Sequence, residues 1–210
     1  MSAHLQARDW GLGKAEDTKN RIERAALTLF VARGVSATTT KEIALAAGIA
    51  EGTIYRHFAT KEAMAEELFL RVHTAIAQEL DRAQRAKSTL KDKARAIVQT
   101  YCAAADSDWL LFSYHLLSQH QHMIQVNSER ANPVAVIREI VRKAMAAGEI
   151  PKRDIDVVTA MALGVVLQPA VHKVYGRIGS ALSDHVETLA EGVWAALCGK
   201  APKPLRLPKA

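Results

Sequence analysis

Apolar residues recur along this chain at intervals of three and four. Ile22, Ala25, Ala26, Leu29 and Phe30 stand at i, i+3, i+4, i+7 and i+8, a full helical stripe. The pattern predicts a first helix over 16–33, ended by Gly34. Leu68, Val72, Ile76 and Leu80 form the seam of a long helix over 61–87, with Thr60 as its N-cap. Helices over 90–105, stopping near Asp106, and over 108–123 follow. Asn132-Pro133 opens the next, because proline suits a first turn, and Ala147-Gly148 closes it. Pro151 then breaks the chain, and the last two helices fall at 154–175 and 182–197. Pro169 is expected to kink the former, since it removes a backbone donor and crowds the preceding turn. No stretch alternates cleanly enough for a strand, and no internal repeat is visible. The fold class is all-α, with about nine helices.

Between the first helix and the long one lies the informative stretch, TTTKEIALAAGIAEGTIYRHFATK, over 38–61. Thr39 and Glu42 have capping-box spacing: the hydroxyl takes one amide and the carboxylate reaches back for the other. Ile43, Ala44 and Ala47 give that helix an apolar stripe, and Gly48 supplies the left-handed residue that ends it. A second short helix is expected over 51–58. Helix, glycine turn and helix together make the layout of a DNA-reading helix-turn-helix. On the second helix Ile54 and Phe58 share the inward face. Gly52, Thr53 and Arg56 point most directly outward, flanked by Tyr55 and His57, with Glu51 nearer the inner side. That outward face carries no acid.

Charge adds less than it first promises. The formal net charge is +6. Residues 1–60 hold eight Lys/Arg against six Asp/Glu, so 8 − 6 = +2. The tail holds Lys200, Lys203, Arg206 and Lys209 and no acid, so most of the excess lies there. Cys102 and Cys198, far apart, suggest free thiols in a reducing compartment, and the N-terminus has no apolar core of a secretory signal. The most apolar run, 157–171, is shorter than the roughly 18 residues of a membrane span. A cytoplasmic protein without a membrane role is expected.

The stretch 21–64 resembles the DNA-binding domain of the tetracycline-repressor-like (TetR) family of bacterial regulators. The resemblance rests on Ile22, Ala25, Leu29, Phe30, Gly34, Thr38, Thr39, Ile43, Ala44, Ala47, Gly48, Ile49, Gly52, Thr53, Ile54, Tyr55, Phe58, Lys61 and Glu62. Two positions depart from the family pattern. Ala50 stands where Ser or Thr is usual, which removes an N-cap at about 1 kcal/mol. Leu45 and Ala46 occupy positions that are often charged.

The resemblance implies a homodimer that sets its third helices in successive major grooves of a palindromic, double-stranded operator. It implies a C-terminal helical domain that takes a small-molecule effector and dimerises through the last two long helices. The expected organisation is a basic arm over 1–15, the helix-turn-helix domain over 16–62, the ligand-binding and dimerisation domain over 63–199, and a flexible basic tail over 200–210.

Roles follow by residue. Thr53 and Arg56 are candidates for base edges, and Gly52 for close backbone approach. Thr39, Tyr55, His57 and Lys61 are candidates for phosphates, and Lys41 for either. Phe69, His73, Tyr101, Trp109, Phe112, His115, Leu116, Met123, Ile140, Met161 and Gln168 could line an effector pocket, although aromatic and Met residues at helical spacing equally build cores. Val158, Met161, Leu163, Val165, Val166, Val193, Trp194 and Leu197 are the dimer candidates, with Gly164 allowing close approach; one thick monomeric core is the alternative.

His115, His120 and His122 do not make a metal site, because residues two apart do not share a helix face. No metal or cofactor is expected. An all-α enzyme is the second functional class; no phosphate loop, nucleophile elbow or paired carboxylates point to one. A helical adaptor without a DNA role is the third.

Overall fold

The computed structural model describes residues 18–122 and 132–199. These residues form helices and turns and contain no strand. The order is α1 (Thr18–Arg33), α2 (Thr40–Ala47), α3 (Glu51–Ile54), α4 (Lys61–Arg85), α5 (Leu90–Ser107), α6 (Trp109–His122), α7 (Pro133–Ala146), α8 (Ile155–Val174) and α9 (Val186–Cys198). A 3-10 turn, Leu182–His185, leads into α9, where the periodicity alone suggests one unbroken helix. The basic arm and the tail lie outside the described residues.

Most helix starts are written locally. Thr60, Thr89, Asn132 and Asp154 each accept a backbone amide at the start of α4, α5, α7 and α8. The turn before α9 is capped differently. Asp106, expected to stop α5, instead lies within it and accepts the amides of Leu182 (3.0 Å) and Ser183 (2.8 Å). α8 runs through Pro169 as one helix.

One apolar core runs without a break from Ile22 on α1 to Leu197 on α9. α4 is its spine. The N-terminal part of α4 buries Met64, Leu68 and Phe69 beside α1 and α6, and its later turns bury Ile76 and Leu80 beside α5 and α7. α8 and α9 pack on each other and close the far side against α5 and α7.

α8 corrects one expectation. At 20 residues it is long and apolar enough to cross a membrane by length and composition, alone in this among the described helices. The shorter run read from the sequence omits its first and last turns. Within the chain its close approach to α9 comes at Gly192, where a Cβ would stand 2.9 Å from Val165, while Gly164 has open space beside it.

Candidate nucleic-acid interface and adjoining cavity

The helix-turn-helix is fastened by side chains that grip backbone. The Thr39 hydroxyl accepts the Glu42 amide at 3.2 Å, and the Glu42 carboxylate accepts the Thr39 amide at 2.9 Å. The two bonds from Thr39, with Arg33 at 2.7 Å behind them, hold the Glu42 carboxyl below its ordinary pKa. Gly48 ends α2 at φ 65°, a conformation that disfavours other residues. Arg21 donates to the carbonyls of Ala47 (2.5 Å) and Gly48 (3.2 Å) and so clamps that turn from α1.

Lys61 departs from its expected role. Its Nζ donates to the carbonyls of Val35 (2.9 Å), Ser36 (3.3 Å) and Thr38 (2.6 Å). An ammonium has three protons, and all are spent pinning the α1–α2 loop, not held ready for a phosphate.

α3 is shorter than its sequence pattern suggests. Regular α-helix covers only Glu51–Ile54, and 55–57 continue as tight turns, with the amides of Arg56 and His57 bonded three residues back. Ala50 makes no side-chain cap, as its identity dictates. Glu51 is exposed, contrary to expectation, and accepts the Thr40 hydroxyl at 2.6 Å. Tyr55 Oη lies 3.3 Å from the same hydroxyl. Thr40 thus ties α2 to α3, and the outward face includes one carboxylate after all. Gly52 is open, Thr53 half-buried, and Ile54 and Phe58 are buried as the face reading requires.

The cations sort themselves by partner. Lys19 pairs with Glu67 at 2.8 Å, Arg24 grips Asp108 with two hydrogen bonds, and Arg33 holds Glu42. Lys41, Arg56 and His57 are exposed and have no ion-pair partner among the described residues. Thr39 is also exposed, although its hydroxyl serves the cap. Leu45, one turn beyond Lys41, is 82 % exposed. The sequence marked it as an odd residue for its position but gave no role; an aliphatic group there suits a thymine methyl.

Besides Lys19–Glu67 and Arg33–Glu42, two further ionic ties hold α1. Glu23, wholly buried, accepts two bonds from Arg71 on α4, at 2.7 and 3.2 Å. Arg24 reaches Asp108 at the α5–α6 corner. On α6 the buried Tyr114 donates to the Ala65 carbonyl of α4 at 2.7 Å and packs on Phe30 of α1.

A cavity of about 100 Å³ lies beyond them, enclosed by α4 to α9. α4 gives His73, Ile76 and Leu80; α5 gives Leu90, Val98 and Tyr101; α6 gives His115 and Gln119. Ile137, Ile140 and Val141 of α7, Ala162, Leu163 and Val166 of α8, and Val193 and Leu197 of α9 complete the wall. Of the sequence candidates, His73, Tyr101, His115 and Ile140 stand on it.

The other pocket candidates fall elsewhere. Phe69 stacks behind the two histidines at 5.2 and 5.0 Å, and Leu116 is core. Phe112 packs edge-on to Tyr101, while Trp109 stacks on Phe112 and takes Lys173 over its ring. Met161 and Gln168 face outward on α8. Met123 lies outside the described residues.

The dimer candidates divide the same way. Val158, Val166, Val193 and Leu197 are buried inside this single chain, and Leu163 lines the cavity. Val165 and Trp194 are half-buried, and Met161 is exposed, with Val157 one turn before it. A helix apolar on nearly every side gives no sign in sequence of which side faces in. Apart from Ile140, the aliphatic cavity residues of α5 and α7 were missed for a similar reason: they read as ordinary core.

Comparison with known proteins bears on this arrangement. Residues 22–68 match the family described as bacterial regulatory proteins, tetR family. Over 60 residues the chain is 45 % identical to the HTH-type transcriptional repressor KstR2 of Rhodococcus jostii, 26 % of this chain and 29 % of that protein. Over 56 residues it is 43 % identical to the HTH-type transcriptional regulator AcrR of Shigella flexneri, 27 % of this chain and 26 % of that one. The matched part thus spans under a third of these relatives. The fold as a whole is similar to that of the fatty acid degradation regulator FadR from Bacillus halodurans, with a TM-score of 0.73 at 19 % identity over 89 % of this chain and 98 % of that one. It is also similar to FadR from Bacillus subtilis in complex with stearoyl-CoA, at 0.66 and 20 % over 86 % and 98 %.

Proposed function

We propose that this chain, a member of the tetR family of bacterial regulatory proteins, is a transcriptional repressor whose grip on operator DNA is set by a small molecule. The observation that carries this reading is the partner pattern at the helix-turn-helix. The cations of α1 are tied to carboxylates or carbonyls, while Lys41, Arg56 and His57 at the exposed turn of α2 and α3 are not. Arg56 reads a base edge, and Lys41 and His57 meet phosphates. Thr53, Gly52, Tyr55 and Thr39 complete the contact surface, and Lys61 supports it by holding the loop beneath.

Two copies act together, because an operator with two-fold symmetry calls for a two-fold protein. The face of α8 that bears Val157, Met161 and Gly164 is the surface we assign to the partner copy. This organisation puts DNA reading before α4 and effector binding and pairing after it, in the cytoplasm where the operator is.

The cavity supplies the control. Its wall includes His73 on α4 and His115 on α6, next to Tyr114, which reaches both α1 and α4. A ligand that fits better when α4 and α6 part shifts the population toward that state, and only by its difference in affinity for the two. Through Tyr114, Arg71–Glu23 and Arg24–Asp108, that shift moves the reading heads.

An electrophoretic mobility assay against the DNA flanking the chain's own gene tests this. A specific complex that weakens steeply with salt is expected. Equal binding to all fragments by wild type and Arg56→Ala would defeat the assignment.

A further inference from the structure

Among the described residues the polar side chains of the cavity wall are His73, Tyr101 and His115, which are buried, and Gln119, which is half-buried. Tyr101 is almost wholly buried, and its hydroxyl has no hydrogen-bond partner among the described residues. His73 Nε2 has no partner at hydrogen-bond geometry among the described residues, although Asn132, whose side-chain oxygen takes the Val134 amide at 2.9 Å, lies near enough to act on the ring. His73 Nδ1 stands 3.1 Å from His115 Nε2. At that distance one ring donates and the other accepts, and the tautomer decides which. His73 Nε2 is therefore a bare acceptor in one tautomeric arrangement and a donor in the other. The Tyr101 hydroxyl can donate or accept as well. Buried groups left in this condition carry a desolvation cost that a suitable ligand removes.

What the wall lacks is as telling. Among the described residues no Lys, Arg, Asp or Glu lines the cavity. An ionised ligand brought into such a space needs a buried counter-charge, and none of the described lining residues supplies one. A more open groove of about 760 Å³ adjoins the cavity and shares Leu90 and Ile140 with it. A charged head could rest there only if the groove favoured its sign. Arg85, Lys93 and Lys143 are matched by Asp81, Glu139 and Glu149. Arg85 already pairs with Asp81 at 2.8 Å and Lys143 with Glu139 at 3.4 Å. Phosphates select sites with an excess of cations and free guanidinium forks, which this balanced rim is not.

Resting on the reading of this cavity as the effector site, we propose that its ligand is a compact, uncharged, largely apolar molecule with one hydroxyl or carbonyl group. The Tyr101 hydroxyl and His73 Nε2 hold that group. That class leaves out carboxylates and coenzyme A thioesters, in contrast to the stearoyl-CoA named for the Bacillus subtilis structure. The size agrees: about 100 Å³ is near the roughly 150 Å³ of an engineered cavity that takes up benzene. It is well under the ~300–1,000 Å³ of sites for larger ligands. One ring or a short branched chain fills it.

Four matched probes test the class on the full-length chain: cyclohexanol, methylcyclohexane, cyclohexanecarboxylate and cyclohexanecarbonyl-CoA. Binding is read by ligand-observed NMR and by thermal shift, and operator affinity is measured in parallel. Cyclohexanol should bind about tenfold or more tightly than the carboxylate or the thioester, since a buried charge without a partner is heavily penalised. Tyr101→Phe should weaken cyclohexanol by about two- to tenfold, the worth of one net hydrogen bond, and leave methylcyclohexane within twofold. The hydrocarbon thus controls for damage to the cavity. A carboxylate or thioester that binds as well as the alcohol overturns the ligand class and spares the effector reading. An alcohol that binds without changing operator affinity overturns the effector reading and spares the class. No binding by any probe overturns both.

Discussion

The two ends of this molecule are built by opposite means. At the helix-turn-helix, side chains grip backbone over short reach: Thr39 with Glu42, Lys61 on three carbonyls, Arg21 over the Gly48 turn. Around the cavity, six helices meet through aliphatic side chains, and the polar atoms there are largely unspent. The first end is fixed in shape and leaves selected cations facing out. The second leaves buried polar groups unsatisfied and can yield to a ligand. A fixed reading head and a cavity with unspent polar groups suit the ligand-controlled DNA binder proposed above, provided that something stiff connects them. Glu23–Arg71 and Arg24–Asp108 are that connection.

Breaking the connection should have the largest effect. Glu23 is fully buried and Arg71 is a quarter exposed. Glu23→Ala leaves a guanidinium beside a cavity in place of its carboxylate. Removing one partner of a buried pair costs about 3–5 kcal/mol; with Arg71 partly solvated, about 2–4 kcal/mol is expected. Urea unfolding measures it. A loss under about 1 kcal/mol would mark the pair as ornament on an apolar interface.

Arg56→Ala comes next and acts on the reading head alone. Its side chain is exposed and bonds to no carboxylate among the described residues, so folding stability should change by less than about 0.5 kcal/mol. Operator affinity should fall by about 1–3 kcal/mol with relaxed preference at one base pair. Fluorescence anisotropy against the operator and single-base variants separates the two effects. An equal loss on every sequence would make Arg56 a phosphate contact.

A smaller gain is expected from Ala50→Ser. Ala50 already has the extended backbone of an N-cap, φ −71° and ψ 141°, but no side chain to use it. A serine hydroxyl there should stabilise α3 by about 0.5–1 kcal/mol. Slower amide exchange at Thr53 and Ile54 in the DNA-free protein checks it. Unchanged exchange would mean that the Thr40–Glu51 bond already holds the start of α3.

How far each end was legible follows from the same contrast. The capping box, the Gly48 stop and the inward Ile54 and Phe58 are local relations, three or four residues apart, and sequence spacing carries them. Lys61 was misread because its carbonyl partners lie 23 to 26 residues away. The Asp106 cap on the turn before α9 spans 76 residues and had no signature at all. At the cavity the difficulty is different. Val158 and Met161 have the same chemistry on the same helix, yet one is buried and the other 46 % exposed. Only the packing of α7 and α9 against α8 decides that. His73 and Tyr101 were found because polar atoms on buried faces stand out, whereas Ile97 and Val141 do not.

The smallest effect tests whether the cavity wall is truly apolar. Burial lowers the pKa of His73 from its ordinary 6.5, with Asn132 opposing. The folded state then binds this proton less readily than the unfolded chain does. Between the lowered folded value and 6.5 the unfolded state holds more protons, so stability rises with pH across that window. The contribution is complete above the unfolded value, is lost as pH falls below it, and levels off once the folded ring also titrates. His73→Gln removes the titration and keeps a hydrogen-bonding side chain beside His115. Wild type should therefore lose more stability than His73→Gln between pH 7.5 and pH 5.5 in paired urea titrations. Identical pH slopes would mean that water reaches the imidazole, and the wall between α4 and α6 would then be wetter than its aliphatic lining implies.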